Sequence, residues 1–314
     1  MNNGARIKWL DLPVSVRSAV ESIAGGPVVE ARSQAGGYSP GSADRIVTAN
    51  GRRAFVKAVS SSPNPESQHL HRREARIMGV LPDDLPIPRF LGMHDDGEWT
   101  ALVFDDIAGR HPLLSGTDLA AVLTALDQIS ARPLPARNLA LLPLLADELR
   151  HDFGGWERLR DEPHPGIGPW AARNQGRLDS LSAAAADALM GHGLVHGDLR
   201  ADNLLIDREG KAVLVDWPWA ARGAPWFDAL SVLIDARVSD PSCNTEAALH
   251  EHGVFAGSEP QQVNAVLAGL AGYFLDSARR PPPPGLPTLR AFQQAEGDAC
   301  LAWLRERLEP APNR

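Results

Sequence analysis

Asp198, Asn203 and Asp216 are the residues of this chain whose types and spacing could do chemistry: a carboxylate, an amide five positions on, and a second carboxylate eighteen positions after the first. Leu194-Val195 runs into His196-Gly197-Asp198, and Ala212-Val213-Leu214-Val215 runs into Asp216-Trp217, so an apolar stretch leads to each acid. Transfer of a γ-phosphoryl group needs oxygen ligands for Mg²⁺, a carboxylate near the acceptor hydroxyl, and cations on the phosphates. Asn203 and Asp216 suit the first role and Asp198 the second. Alone, each would be an ordinary turn residue; together they have the layout of phosphoryl transfer.

The elements that must position them are short. Leu204-Leu205-Ile206 and Val213-Leu214-Val215 are β-prone runs, and Asp207-Arg208-Glu209-Gly210-Lys211 between them is turn chemistry. The pair reads as a hairpin. It predicts Asp198 and Asn203 on the loop entering the first strand and Asp216 at the end of the second, converging at one edge.

His-Gly-Asp, four residues, Asn, and then Val-Asp-Trp resembles the catalytic loop and metal loop of the aminoglycoside phosphotransferase and choline kinase group, small-molecule kinases with a protein-kinase-like fold. The resemblance implies that Asp198 is the catalytic base and that Asn203 and Asp216 hold magnesium. It also implies that Asp228 braces the catalytic loop by hydrogen bonding, the plain alternative being a charge at a helix N-terminus. His196 is expected to anchor the loop by packing and hydrogen bonding. Gly197 stands where protein kinases commonly carry the arginine that answers a phosphorylated activation loop, which suggests an enzyme without that switch.

Upstream, residues 11–24 carry Leu12, Val16, Val20 and Ile23 at helical spacing and stop at Gly25-Gly26. Residues 28–33, 44–48 and 54–59 read as strands, the last two joined by Asn50-Gly51, a strong hairpin signal. The glycine-rich turn over residues 34–42 could bring backbone N–H groups to phosphate oxygens, with Gly37 and Ser39 as the candidates, or be an ordinary hairpin turn. Alternation puts Lys57 opposite Val56 and Ala58, and a lysine in an apolar strand needs a partner for its charge. The resemblance implies a Lys57–Glu74 ion pair that holds Lys57 against the α- and β-phosphates, with Glu74 in a helix over residues 65–80. The alternatives are Glu66 as partner, or a solvated Lys57 on an edge strand with Glu74 on a polar face beside Arg72, Arg73 and Arg76.

Residues 86–91 and 99–104 add two strands, and residues 105–109 resemble the family's hinge, where backbone groups of Asp105 and Ile107 would meet the adenine edge. Main-chain contacts do not choose between ATP and GTP. Beyond the hinge the period is helical over residues 117–129, 139–153, 169–190, 226–236, 260–278 and 289–308. The expected class is therefore α+β, a protein-kinase-like two-lobed fold: a sheet-rich lobe over residues 1–104, a hinge at 105–109 and a helical lobe over 110–314.

Candidates for touching the acceptor are Glu148 and Asp152 in an acidic stretch, Asp235 beyond the metal loop, and Trp217 directly after the metal ligand. Solvated helix faces are the bland reading of such acids. The net charge of −8 argues against nucleic acid or an anionic membrane as partner and mildly favours a cationic one. Two cysteines, Cys243 and Cys300, make no disulfide framework, and neither an apolar signal core nor a run of about 18 apolar residues occurs, so the expected setting is cytoplasmic. The reading that collects these features is an ATP- and Mg²⁺-dependent phosphotransferase acting on a hydroxyl of a small molecule, an antibiotic or related sugar-bearing metabolite. A primary-metabolite kinase of the choline, homoserine, methylthioribose or fructosamine type is the alternative, and a non-catalytic nucleotide-binding scaffold is the alternative of another class.

Overall fold

The computed structural model describes residues 7–34, 41–62, 65–283 and 286–309. In chain order the described elements are α1 (Val14–Ala24), β1 (Val28–Ser33), β2 (Ser42–Thr48), β3 (Arg53–Ser60), α2 (Pro65–Met78), β4 (Phe90–Asp95), β5 (Trp99–Asp105) and β6 (Gly109–Arg110). There follow α3 (Gly116–Ser130), α4 (Ala136–Leu139), α5 (Leu145–Leu149), α6 (Gly155–Asp161), α7 (Gly168–Ser182), α8 (Ala185–Ala188), β7 (Gly193–Val195), β8 (Leu204–Asp207) and β9 (Ala212–Leu214). The chain ends through β10 (Ala221–Gly223), α9 (Trp226–Ser239), α10 (Thr245–Glu251), α11 (Pro260–Ala278) and α12 (Leu289–Leu308). The class is α+β, with an antiparallel sheet first and helices after it. The chain divides into two compact units: the described residues up to His111 together with Asp202–Trp219, and the segment from Pro112 to Ala201 together with the chain from Ala220 on.

The first unit is built on a five-stranded antiparallel sheet of order β1-β2-β3-β5-β4. Val16, Val20 and Ala24 form the apolar stripe of α1 and pack with Ile46, Ala54, Val56, Ala58, Ala101 and Val103 of the sheet, all at 0% exposure. The helix stops where Gly25 turns left-handed, at φ 86°. The opposite face of β3 and β5 is covered by α2. A second, three-stranded sheet of order β6-β8-β9 belongs to the same unit, with Leu204 opposite Leu214 in the expected hairpin.

The second unit is organised on α11, which packs against α12, α6, α7 and α8. Gly155 opens α6 where a Cβ would meet the Gly272 backbone at 2.2 Å, so the two helices approach as only glycine permits. Trp156, fully buried, donates its Nε1–H to Ala268 O at 2.7 Å across the same contact.

Several elements differ from their sequence expectation for visible reasons. Of the single helix expected over 139–153, α5 is the α-helical part that forms, while α4 ends at Leu139, the first residue of that span; Pro143 lies between them and cannot continue a helix. The strand expected at 86–91 forms later, as β4, since Pro86 and Pro88 have no N–H for a ladder; Pro86 instead accepts the N–H of Leu214 through its carbonyl. The helix over 169–190 divides into α7 and α8. Helices α6 and α10 were not foreseen; each is 7 residues long, too short for an apolar period to show.

Candidate active site

Lys57 lies on β3, the middle strand of the five, and not on an edge. Its neighbours Val56 and Ala58 face α1, so alternation turns Lys57 towards α2, where Nζ donates to Glu74 Oε1 at 2.9 Å and Oε2 at 3.0 Å. The same ammonium reaches Asp216 Oδ1 at 2.7 Å and stands 5.7 Å from the Phe104 ring centre. Burial alone would push the lysine down, but the charges of Asp216 and Glu74 outweigh it and hold Lys57 above its ordinary range. Burial pushes the Glu74 carboxyl up against the pull of Lys57, and Trp217 N–H donates to its Oε1 at 3.3 Å. Gly41 enters β2 so close to β3 that a Cβ would stand 2.1 Å from Ala58 O, which accounts for one glycine of that turn.

The β8–β9 hairpin brings the two expected metal ligands onto one scaffold. Asn203 sits directly before β8, is 6% exposed, and accepts the N–H of Val215 at 3.0 Å through its backbone carbonyl. Asp216 follows Val215 with φ 69°, the only non-glycine among the described residues in that region, and such conformations persist where the surroundings enforce them. Its side chain is 47% exposed. An amide oxygen and a half-exposed carboxylate fit Mg²⁺, which takes one or two protein carboxylates and fills its remaining positions with phosphate and water.

In the second unit, Asp198 follows β7 on a loop held at both ends by α9. Asp228, in the first turn of that helix, accepts the N–H of His196 at 2.6 Å and of Gly197 at 3.0 Å, one on each oxygen. Gly197 has φ 83°, so the bend before Asp198 needs a residue without a Cβ. Asp235, two turns further along, accepts the N–H of Ala201 at 3.0 Å. His196 is fully buried and accepts the N–H of Asp198 on Nδ1 at 3.4 Å. Burial raises the Asp228 carboxyl to about 7, against the two backbone donors, and the Asp198 charge adds to the rise.

Asp198 opens into a cavity of about 160 Å³ that lies within the second unit. Asp152, Tyr273, Phe292 and Glu296 share its wall, and Arg200 Nη2 lies 3.8 Å from Asp198 Oδ2. The cavity therefore presents a carboxylate beside aromatic surface, which can orient a hydroxyl on a small organic molecule.

Residues 35–271 match the model of the phosphotransferase enzyme family, three quarters of the chain. The chain belongs to that family. No curated protein matches it in sequence. Among solved structures it is similar to the spectinomycin phosphotransferase crystallised with ADP and spectinomycin, at 11% identity and TM-score 0.59 over 92% of this chain and 98% of that one. It is also similar to the macrolide 2′-phosphotransferase of Brachybacterium faecium, at 18% identity and TM-score 0.57 over 95% of this chain and 100% of that one. The choline kinase of Streptococcus pneumoniae is another, at 16% identity and TM-score 0.57 over 95% and 97%. These likenesses confirm the fold inferred from the His-Gly-Asp and Val-Asp-Trp motifs.

The remaining candidate residues of this phosphotransferase fall in different places. Gly37 and Ser39 lie outside the described residues. At the expected hinge, Asp105 N–H donates to Arg89 O and Ile107 O accepts Arg45 Nη2 at 2.6 Å, so both of these main-chain groups already have protein partners. Trp217 is 1% exposed and donates Nε1–H to Leu214 O at 3.0 Å, which buries it in the first unit and leaves it no surface for an acceptor. Asp235 holds Ala201 and is 9% exposed, so its position is that of a loop brace; Glu148 is exposed and off the cavity wall, and of the four acceptor candidates only Asp152 lines it. Sequence reasoning missed Glu296 and Tyr273. Glu296 had a signal: it stands in register with Cys300 and Trp303 on the apolar stripe of α12, where a carboxylate is out of place. No described helix is long and apolar enough to cross a membrane.

Proposed function

We propose that the chain is an ATP- and Mg²⁺-dependent O-phosphotransferase for a hydroxyl of a small molecule, with Asp198 as the group that accepts or orients the hydroxyl proton. Lys57 holds the nucleotide phosphates, kept in place by Glu74, and Asn203 and Asp216 are the residues that would hold the metal. When bound, Mg²⁺ neutralises charge on the β- and γ-phosphates. Asp228 and His196 keep the Asp198 loop in one conformation, so the carboxylate is in place before the acceptor arrives.

The observation that carries this reading is the Lys57 ammonium with Glu74 and Asp216 on it at 2.7–3.0 Å, an arrangement that a structural lysine on a central strand does not require. An antibiotic or related sugar-bearing natural product is the acceptor class favoured, because spectinomycin and macrolide phosphotransferases are among the similar structures. Nucleotide titration tests the donor side: ATP should bind in a Mg²⁺-dependent manner, and Asp216→Ala should abolish the dependence. Binding of ATP with equal affinity in Mg²⁺ and in chelator would contradict the assignment of Asn203 and Asp216.

A further inference from the structure

The five-stranded sheet of the first unit has two edges, and they are finished differently. β4 is packed by both α1 and α2. At the other edge, β1 pairs with β2 on one side while residues 29–33 are exposed, an open ladder of the kind to which another strand can add. Leu10, in the turn Trp9–Asp11 that lies against β1, and Val29 in the strand itself are 76% and 67% exposed, so apolar surface flanks that edge.

The ladder fixes which backbone groups point outward. Gln34 N–H donates to Ala43 O at 2.8 Å, and from there the pairing with β2 runs without a shift back to Glu30 opposite Val47. In an antiparallel pair, residues alternate between those that bond to the neighbouring strand and those that do not. Gln34, Arg32 and Glu30 are therefore turned to β2, and the N–H and C=O groups of Ala31 and Ser33 to the open side.

The side chains then choose the partner. A second β1 running antiparallel has to set odd-numbered residues opposite odd-numbered ones, since those carry the free groups, which puts a two-fold axis through Glu30, Ala31 or Arg32. An axis through Glu30 opposes it to the partner's Glu30, and one through Arg32 opposes it to the partner's Arg32; like charges directly opposed are destabilising. The axis through Ala31 instead sets each Glu30 opposite the partner's Arg32. Within its own sheet Arg32 already stands opposite Arg45 of β2, so an acid arriving from the open side offsets a like charge.

We propose that β1 is a self-pairing edge: two copies of this chain join antiparallel about Ala31 into a continuous ten-stranded sheet, held by backbone hydrogen bonds between the two Ala31 residues and by two Glu30–Arg32 ion pairs across the axis. The bulge between Val28 and Glu30 ends the pairing, so the interface is short. Interfaces of this size are weak, and the dimer dissociates on dilution with a Kd on the order of 10–100 μM. Lys57 lies two strands further in, so pairing leaves its contacts with Glu74 and Asp216 untouched.

Sedimentation velocity of the full chain, over concentrations a decade below and above that range, is the test. The wild type should pass from monomer to dimer. Glu30→Arg opposes two arginines across the axis and Arg32→Glu two glutamates, so each variant alone should self-associate at least about tenfold more weakly. Mixed in equal amounts, the two should associate again to the wild-type level, because every pair across the axis then joins unlike charges. Ala31→Pro, which removes an N–H aimed at the partner and none aimed at β2, should stay monomeric. Should that variant fail to fold, the mixing result decides. A wild type that is monomeric throughout, a dimer indifferent to these substitutions, or two charge variants that remain monomeric when mixed would overturn the proposal.

Discussion

Lys57 Nζ and Asp216 Oδ1 lie 2.7 Å apart although 159 residues separate them in the chain, and the same ammonium holds Glu74. Folding therefore joins the sheet and the β8–β9 hairpin through one partly buried cation. Removing it would leave Glu74, 3% exposed, without its counter-charge. Breaking a buried pair from one side costs about 3–5 kcal/mol, and the half-exposed Asp216 lowers the expectation for Lys57→Met to about 2–3 kcal/mol. Urea unfolding should show that loss, together with a loss of ATP binding; wild-type stability in the variant would mean the pair is not formed in solution.

Asp198→Ala should leave nucleotide binding intact, since none of the groups on the Lys57 ammonium is touched. Phosphoryl transfer should fall about 10²–10⁴-fold, the usual contribution of a general base. Single-turnover kinetics with an identified acceptor would separate this from slow product release.

Asp228 gives a pH dependence of defined sign. Its carboxyl sits at about 7 in the folded chain and near 3.9 when unfolded, so between these values the native state binds the extra proton. Its contribution therefore makes the protein less stable as pH rises from about 4 to about 7, and is level above that. Glu296 acts in the same direction up to about 8, so the difference between wild type and Asp228→Asn isolates the effect. Urea midpoints at about pH 5 and pH 7 should converge in Asp228→Asn relative to wild type. The variant should also transfer phosphate more slowly, because the His196 and Gly197 N–H groups use one carboxylate oxygen each and an amide replaces one of those oxygens with an NH2 that cannot accept.

Gly155→Ala would drive a methyl group into the Gly272 backbone, at 2.2 Å before relaxation. Overpacking of this kind costs about 1–3 kcal/mol. Thermal unfolding should report it, and KM for the acceptor should rise, because Phe153 and Tyr273 next to these glycines both line the Asp198 cavity.

The parts of this molecule legible in the sequence are those whose signal is local. The helix stop at Gly25-Gly26, the Asn50-Gly51 turn, the hairpin around Asp216 and the apolar periods of α11 and α12 each lie within one short window, and the structure reproduces them. Lys57 was legible because an apolar strand isolates its charge, whereas its second partner, Asp216, was not, since nothing in the strand specifies a contact 159 residues away. The same reason hid the duties of Asp235 and Trp217. Each is polar or aromatic beside a functional motif, and only the packing shows one accepting Ala201 N–H and the other sealed in the core. Pro143 was a readable break that the apolar period of residues 139–153 concealed.

The central claim is that this chain moves a phosphoryl group from ATP to a small-molecule hydroxyl by way of Asp198. Its most direct test is mass detection of the product when a panel of hydroxylated natural products, aminated and neutral, is incubated with ATP, Mg²⁺ and either wild type or Asp198→Ala. A phosphate ester should form on at least one compound with the wild type, require Mg²⁺, and drop at least about a hundredfold with the variant. A phosphorylated product that forms at an undiminished rate with Asp198→Ala, or ATP consumption with no phosphorylated compound in either protein, would contradict it.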